Sequence, residues 1–235
     1  MSRFCGWPSD TVGIVTPADR SKHPIFARFY ARVSVDMDRG GMADHRARLL
    51  SGLAGTVLET GCGNGRNFPH YPHTVTRVVA IEPDPYLRGL AERAAKTAPV
   101  PIEIINATAE HIPAPDESFD AAVACLMLCS VPDQATALAE VRRVLRPGGQ
   151  LRFLEHVRAE TPVLARVQRV LDATVWPLFA GGCHPARDTE AAIRAAFTLD
   201  EVTRFDFPAA RIRQPASPHI IGSATRAPHD PAQER

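Results

Sequence analysis

The 235-residue sequence lacks several features that would place it in a special class of protein. No stretch approaches the roughly 20 consecutive apolar residues that a membrane-spanning helix needs. Lys and Arg number 27 against 26 Asp and Glu, which gives a formal net charge of +1. The chain therefore lacks the positive excess that is typical of nucleic-acid-binding proteins. We expect no membrane span and no nucleic-acid partner.

Cysteine is scarce and irregularly spaced. The five cysteines form no CxxC pair, and no Cys/His cluster has the spacing of a zinc site. An odd number of scattered cysteines argues against a disulfide framework, so we expect neither disulfides nor a bound metal. The first 22 residues also lack the basic region and apolar core of a signal peptide. These absences predict a cytoplasmic protein with reduced thiols.

The composition that is present, 45% apolar and 23% charged, is typical of one globular domain. Residues 1–23 are punctuated by proline and predict an irregular segment. Residues 24–53 carry apolar side chains at helical spacings of three and four, which predicts a helical cap before the main fold. The polar residues 227–235 predict a disordered tail. The predicted domain therefore spans residues 24–226.

From residue 56 onward, short apolar runs alternate with helical segments. The runs are TVLET, RVVAIE, IEII, FDAAVAC and QLRFLEHV, and the helical segments include PYLRGLAERAAK and DQATALAEVRRV. Strands alternating with helices of 10 to 15 residues predict an α/β fold, with a mostly parallel sheet covered on both faces.

The first run leads into a glycine-rich loop, VLETGCGNGRNF, with Gly61, Gly63 and Gly65 spaced two apart. In an open parallel sheet, the loop after the first strand faces the ligand crevice. A phosphate-binding loop is excluded because neither the Lys nor the hydroxyl of GxxxxGK[ST] follows. A dinucleotide loop, GxGxxG, would need glycine where this chain has Arg66.

The remaining interpretation of the loop is a site for S-adenosylmethionine, whose loop has an acid before GxGxG. Glu59 is the acid, and we expect it to orient the ammonium of the methionine moiety, directly or through water. Glu82 ends the second run, where it is placed to accept both ribose hydroxyls. Cys62 and Pro83, which adjoin these residues, complete the contacts expected from this part of the chain. The alternative is a tight turn that uses glycine only for its backbone freedom.

Further segments strengthen this interpretation. With the glycine loop, the runs NATAEHIPAPDESFD, CLMLCSV and LRPGG resemble the class I S-adenosylmethionine-dependent methyltransferases over roughly residues 54–157. The resemblance implies a Rossmann-like seven-stranded sheet with an antiparallel seventh strand. It also implies that Thr108 and Ala109 line the adenine pocket, and that Cys125 and Leu126 approach the methionine portion. Glu110 is expected to hold the loop.

A narrower resemblance, to small-molecule methyltransferases related to the alkyl thiol methyltransferases, rests on LCSV, EHV, GGCHPARDT and PHIIG. It implies methyl transfer to a small, largely apolar acceptor, first of all a thiol, with S-adenosylhomocysteine as product. The alternatives are carbon or oxygen methylation of a quinone, polyketide or other secondary metabolite, and a cofactor-binding protein without turnover. The membrane anchor of the mammalian members is not carried over, and the oligomeric state stays open.

Candidate catalytic residues follow the fifth run. His156 would lie at the active edge of the sheet, where a neutral imidazole can take a thiol proton; alternatively, it holds that edge by hydrogen bonding. The GGCHPARDT segment predicts a substrate loop with His184 and Arg187 near the reacting groups, or else a helix start capped by Asp188 or Thr189. His219 is expected to be a core histidine.

Overall fold

The computed structural model describes residues 24–174, 176–209 and 214–228. The predicted irregular segment 1–23 lies outside these ranges, as does the predicted tail apart from residues 227 and 228.

Within these ranges, seven strands form one sheet in the order β3-β2-β1-β4-β5-β7-β6. The strands β1 to β5 are parallel, whereas β7 runs antiparallel to both β5 and β6. This arrangement confirms the predicted Rossmann-like sheet with an antiparallel seventh strand. The strands are β1 (Gly55–Thr60), β2 (Val75–Ile81), β3 (Ile102–Ile105), β4 (Phe119–Cys125), β5 (Leu145–His156), β6 (Thr198–Asp206) and β7 (Pro218–Thr225).

The helices cover both faces of this sheet. They are α1 (Pro24–Met37), α2 (Ala43–Leu50), α3 (Pro85–Ala95), α4 (Gln134–Val144), α5 (Pro162–Asp172), α6 (Trp176–Phe179) and α7 (Thr189–Ala196). A π-helical turn, Asp38–Met42, joins α1 to α2. Asp84 and Asp133 begin α3 and α4 by accepting hydrogen bonds from backbone N–H groups of the first turn, which have no partner inside the helix.

The core has two halves because successive side chains of a strand point to opposite faces. In β1, Leu58 packs on the half that includes α4 and α7, whereas Val57 packs on the half that includes α2 and α3. In β4, Ala122 and Ala124 alternate with Val123 in the same way. The central strands of the sheet are therefore buried on both sides, as the continuous apolar runs predicted.

The helices before β1 pack onto the sheet through α2, where Leu49 and Leu50 are buried. In α1, Ala27 and Ser34 are buried, while Phe29, at an apolar position of the predicted helix, is exposed. Within the described ranges, every helix is too short or too polar to cross a membrane.

Candidate active site

The site lies where the parallel strand order changes direction. β1 pairs with β2 on one side and with β4 on the other. From β1 the chain continues to β2 and β3 on one side of the sheet, and then crosses to β4 and β5 on the other side. In open α/β sheets, ligands bind in the crevice outside the carboxyl ends of strands at this point. The glycine loop after Thr60, the acid after Ile81 and the loop after Cys125 all meet at this crevice.

The glycine loop requires glycine for its shape. Gly61, Gly63 and Gly65 have φ values of 62°, 55° and 78°, which side-chain-bearing residues rarely adopt. A Cβ on Gly61 would lie 2.9 Å from Cβ of Met127, and one on Gly65 would lie 2.8 Å from the ring of Phe68. The loop thus brings bare backbone to the crevice edge. Cys62, between the glycines, is buried, and burial raises the pKa of its thiol well above its usual value.

Glu82 is fixed against this loop. Its Oε2 accepts a hydrogen bond from the Gly63 N–H at 2.8 Å, and its Oε1 accepts one from the Asp84 N–H at 2.9 Å, across Pro83. Burial raises the pKa of Glu82 to about 6, although the two N–H donors act in the opposite direction. Each carboxylate oxygen has a second lone pair, so this orientation leaves two acceptor positions for a ligand.

Glu59 has a different environment from the one predicted for it. Its side chain is buried, Oε1 accepts from Asn67 Nδ2 at 2.8 Å, and Oε2 accepts from the Tyr71 hydroxyl at 2.7 Å. Burial raises the pKa of Glu59 to about 7, against these two hydrogen bonds. The structure therefore gives Glu59 the task of anchoring the glycine loop to the segment that follows it. Contact with a ligand ammonium stays a prediction.

Arg46, in α2, is a site residue that the sequence analysis missed. Its Nε donates to Asp38 Oδ1 at 3.0 Å, and its Nη1 lies 2.9 Å from Asn67 Oδ1 and 3.2 Å from Cys125 Sγ. The remaining nitrogen, Nη2, is buried and has no partner among the described residues. Arg46 lies three and four positions before Leu49 and Leu50, so helical spacing places it on the same buried face of α2. This spacing was the sequence signal that could have identified it.

The predicted adenine residues lie after β3. Ala109 is buried, while Thr108 is partly buried and forms an isolated bridge with His111. At the end of β4, Cys125 is buried, and its neighbour Leu126 has a φ of 57° while its N–H donates to Leu154. These positions border the crevice, and their contacts with a cofactor stay predictions.

His156 ends β5 and is buried, with partners at both ring nitrogens. Nε2 lies 3.1 Å from the Pro215 carbonyl oxygen, and Nδ1 lies 3.6 Å from Cys183 Sγ. Burial lowers the pKa of His156, but interactions with Cys129 outweigh this and leave the pKa above its usual value. This geometry matches the alternative in which His156 holds the edge by hydrogen bonding. Proton abstraction from a substrate stays a prediction.

Glu155, the preceding residue, accepts hydrogen bonds from the Met127 and Leu128 N–H groups at 3.0 Å each. It therefore fixes the loop after β4. His219 is buried as expected, its Nδ1 lies 2.8 Å from the Ser217 carbonyl oxygen, and burial lowers its pKa to about 4.

The GGCHPARDT segment packs on the loop after β4 instead of presenting all its side chains to the crevice. Arg187 donates from Nη1 to the carbonyl oxygens of Leu128 at 3.1 Å, Cys129 at 3.2 Å and Val131 at 2.5 Å. His184 Nδ1 lies 3.1 Å from Asp172 Oδ1. The guanidinium of Arg187 therefore holds backbone carbonyls, and a place for Arg187 and His184 near the reacting groups stays a prediction. Asp188 caps α7 through the Ala191 N–H, as the alternative interpretation predicted.

Three side chains from distant parts of the sequence meet beside this segment. Cys129, His156 and Cys183 each present a possible metal-ligand atom, and these atoms all lie within 4.8 Å of one another. A hydrogen bond with Cys129 lowers the pKa of the Cys183 thiol, although burial acts against it. The search for zinc spacing missed this group, because each ligand lies on a different loop or strand end and no short motif joins them.

Comparison with known proteins gives consistent results. Residues 58–153 match the model of a methyltransferase domain. The human thiol S-methyltransferase TMT1A is 36% identical over 79% of this chain and 80% of its own length. The rat thiol S-methyltransferase TMT1B is 38% identical over 73% of this chain and 70% of its own length. The N-methyltransferase NodS of Bradyrhizobium japonicum, in complex with S-adenosyl-L-homocysteine, has a TM-score of 0.59 at 19% identity, covering 80% of this chain and 87% of NodS.

Proposed function

The chain belongs to the S-adenosylmethionine-dependent methyltransferases, and from that premise we propose that it methylates the sulfur of a small, largely apolar thiol. Its similarity to two thiol S-methyltransferases covers 198 and 175 residues, well beyond the 58–153 segment that matches the general methyltransferase model. The shared part thus includes sequence outside the segment that matches the general methyltransferase model.

The residues present fit S-adenosylmethionine. The observation that carries this assignment is the carboxylate of Glu82, which the Gly63 and Asp84 N–H groups hold with two acceptor positions free. Ribose hydroxyls are donors that match these positions. A side chain at Gly61 or Gly65 would collide with Met127 or Phe68, so only bare backbone fits at this edge of the crevice.

Arg46 completes the proposed cofactor site. A buried guanidinium nitrogen without a partner is costly, and a carboxylate is the group that would satisfy it best. Arg46 also contacts Cys125, which ends β4 on the expected methionine side of the crevice. We assign Arg46 to the carboxylate of the methionine moiety, Glu82 to the ribose, and Thr108 and Ala109 to the adenine.

S-adenosylmethionine, when bound, supplies an electrophilic methyl group on a sulfonium. The protein must hold the acceptor in line with that group and exclude water. Glu155 and Arg187 support this task by fixing the loop after β4 from two sides, through its N–H groups and its carbonyls respectively. A thiol acceptor needs little further activation by the protein, because a thiolate is intrinsically a strong nucleophile.

Methyl transfer to matched acceptors tests the proposal. The protein is incubated with S-adenosylmethionine and an alkyl thiol, the corresponding alcohol, a catechol or a quinol, and the products are identified by mass spectrometry. We expect a methyl thioether from the thiol and no ether from the alcohol, and loss of product in Glu82→Ala. Methylation of a quinol or catechol with no thiol methylated would overturn the thiol assignment. Binding of S-adenosylhomocysteine without any product would instead support the alternative of a binding protein.

A further inference from the structure

The Cys129, His156 and Cys183 side chains form a compact group at the active edge of the sheet. They come from the loop after β4, the end of β5 and the loop before α7. Cys129 and His156 are each 4% exposed, and Cys183 is partly buried. We propose that these three side chains bind one zinc ion, and that the fourth coordination position of this ion accepts the sulfur of the substrate thiol. The second half of this proposal rests on the proposed function.

The ligand types and distances suit zinc. Thiolate sulfur and imidazole nitrogen are the ligands that zinc prefers, and two cysteines with one histidine is a known catalytic ligand set. Sulfur at about 2.3 Å and nitrogen at about 2.0 Å from a tetrahedral ion place the two atoms about 3.5 Å apart. Cys183 Sγ and His156 Nδ1 lie 3.6 Å apart, so little movement is needed to admit the ion between them.

The histidine already has the tautomer that metal binding requires. The Pro215 carbonyl oxygen near Nε2 can only accept, so Nε2 carries the proton and Nδ1 presents its lone pair to the two sulfur atoms. Gln168 donates to the same carbonyl oxygen at 2.8 Å and fixes its position. A metal-ligating histidine almost always donates its other ring N–H to such a group.

Hydrogen bonds that do not involve the cysteine side chains join the two cysteine-bearing loops. The His184 N–H donates to the Cys129 carbonyl oxygen at 2.9 Å, and Arg187 donates to the same oxygen at 3.2 Å. Arg187 therefore has a second structural role, because it holds the two cysteine-bearing loops in a fixed relative position. Preformed ligand geometry of this kind reduces the ordering that metal binding would otherwise require.

The position of the group favours an open site that serves the acceptor. Within the described residues, three side chains make up the group, and catalytic zinc sites have three protein ligands with a fourth position for water or substrate. Met127, two residues before Cys129, lies so near the cofactor loop that a Cβ on Gly61 would be 2.9 Å from its Cβ, so the group borders the cofactor crevice. A thiol that coordinates zinc is deprotonated, and its proton passes to solvent. The acceptor would then be present as the reactive thiolate.

Metal content tests the first half of the proposal. The protein is purified without chelators from zinc-supplemented medium, and its metals are measured by inductively coupled plasma mass spectrometry. We expect about one zinc per chain, and a loss of tenfold or more in Cys129→Ser and Cys183→Ser. Cys62→Ser, which removes a buried cysteine outside the group, is the control and should keep its zinc. Copper or no metal in the wild-type protein would overturn the proposal.

Cobalt substitution provides a readout that does not depend on the variants folding. Co²⁺ added to the metal-free wild-type protein should give the intense visible bands of a tetrahedral site and a sulfur-to-cobalt charge-transfer band. A substrate thiol, added without S-adenosylmethionine, should shift these bands, and the matched alcohol should not. Failure of cobalt to produce the bands, or a Cys129–Cys183 disulfide in the freshly purified protein, would overturn the metal site in favour of a thiol pair.

These outcomes are separate from those of the proposed function. Thiol methylation at full rate by metal-free protein would overturn thiol coordination while leaving thiol methylation established. Zinc-containing protein whose cobalt spectrum does not respond to any thiol would overturn the second half of the proposal, whatever acceptor is methylated.

Discussion

Nη1 of Arg46 lies 3.2 Å from Sγ of Cys125, although 79 positions separate the two residues in the sequence. This contact joins α2, in the helical segment before the sheet, to the end of β4 at the cofactor crevice. Because Nη2 of the same guanidinium has no partner among the described residues, the segment before β1 contributes an unpaired hydrogen-bond donor to the crevice as well as a cover for the sheet.

Arg46→Gln should weaken binding of the methionine half of the cofactor and leave binding of the nucleoside half nearly unchanged. If Arg46 binds the methionine carboxylate, the substitution removes a charge-assisted hydrogen bond, and S-adenosylhomocysteine should bind about tenfold or more weakly. Methylthioadenosine, which lacks the carboxylate, should bind within about twofold of its wild-type affinity. Isothermal calorimetry with the two ligands measures both effects.

Arg48→Gln is the matched control, because Arg48 lies in the same helix but its exposed side chain pairs with Glu201. It should change neither affinity. Equal losses for both ligands in Arg46→Gln would show that the residue supports the fold of the crevice and does not bind the carboxylate.

Cofactor affinity should depend on pH through Glu82. The pKa of this carboxyl is about 6 in the free protein, and the ionised form is the one that accepts two hydroxyl groups. The affinity for S-adenosylhomocysteine should therefore be about tenfold lower at pH 5 than at pH 7, with most of the change below pH 6. Glu82→Gln should bind weakly at both pH values. A wild-type affinity that is constant between pH 5 and pH 7 would contradict the ribose assignment.

The sequence predicted the parts of the site that depend on local pattern. The glycine loop and Glu82 follow directly from strands whose apolar runs are continuous, so their positions can be read from the sequence. The Arg46 contacts and the Cys129–His156–Cys183 group escaped prediction because they depend on which strands are neighbours in the sheet. The backbone contacts of Arg187 escaped prediction for the same reason, since its partners are the carbonyls of a loop 55 to 59 positions away.

Glu59→Gln should alter the pH dependence of stability. Burial raises the folded-state pKa of Glu59 from 4.5 to about 7, so between these values the folded chain holds more protons than the unfolded chain. The contribution of Glu59 to the free energy of unfolding therefore falls as pH rises through this window and is constant above it. A neutral glutamine avoids this loss. Relative to wild type, the variant should gain about 2 kcal/mol between pH 5 and pH 8.

Urea unfolding at the two pH values measures this gain. Glu103→Gln makes the same chemical change at an exposed position of β3, and it should differ from wild type by less than about 0.5 kcal/mol at both. If the stability difference between Glu59→Gln and wild type were the same at pH 5 and pH 8, Glu59 would be ionised throughout.

Two glycine-to-alanine substitutions should distinguish backbone strain from crowding in the cofactor loop. Gly65 and Gly148 share a φ of 78°, but a Cβ on Gly65 would lie 2.8 Å from the buried ring of Phe68 and 2.9 Å from Ala94, whereas one on Gly148 would meet nothing within 4 Å. Gly148→Ala should lower the free energy of unfolding by about 1 to 2 kcal/mol, the cost of the left-handed conformation alone. Gly65→Ala should lower the free energy of unfolding by about 1 to 3 kcal/mol more than Gly148→Ala does, because the ring of Phe68 occupies the space of the added methyl group and cannot move without disturbing the core.

Urea unfolding measures the free energy of unfolding of the two variants, and calorimetry should show weaker S-adenosylhomocysteine binding only in Gly65→Ala. Equal costs in both variants would mean that the loop can shift away from Phe68, and that its shape is less constrained by the core than the contacts indicate.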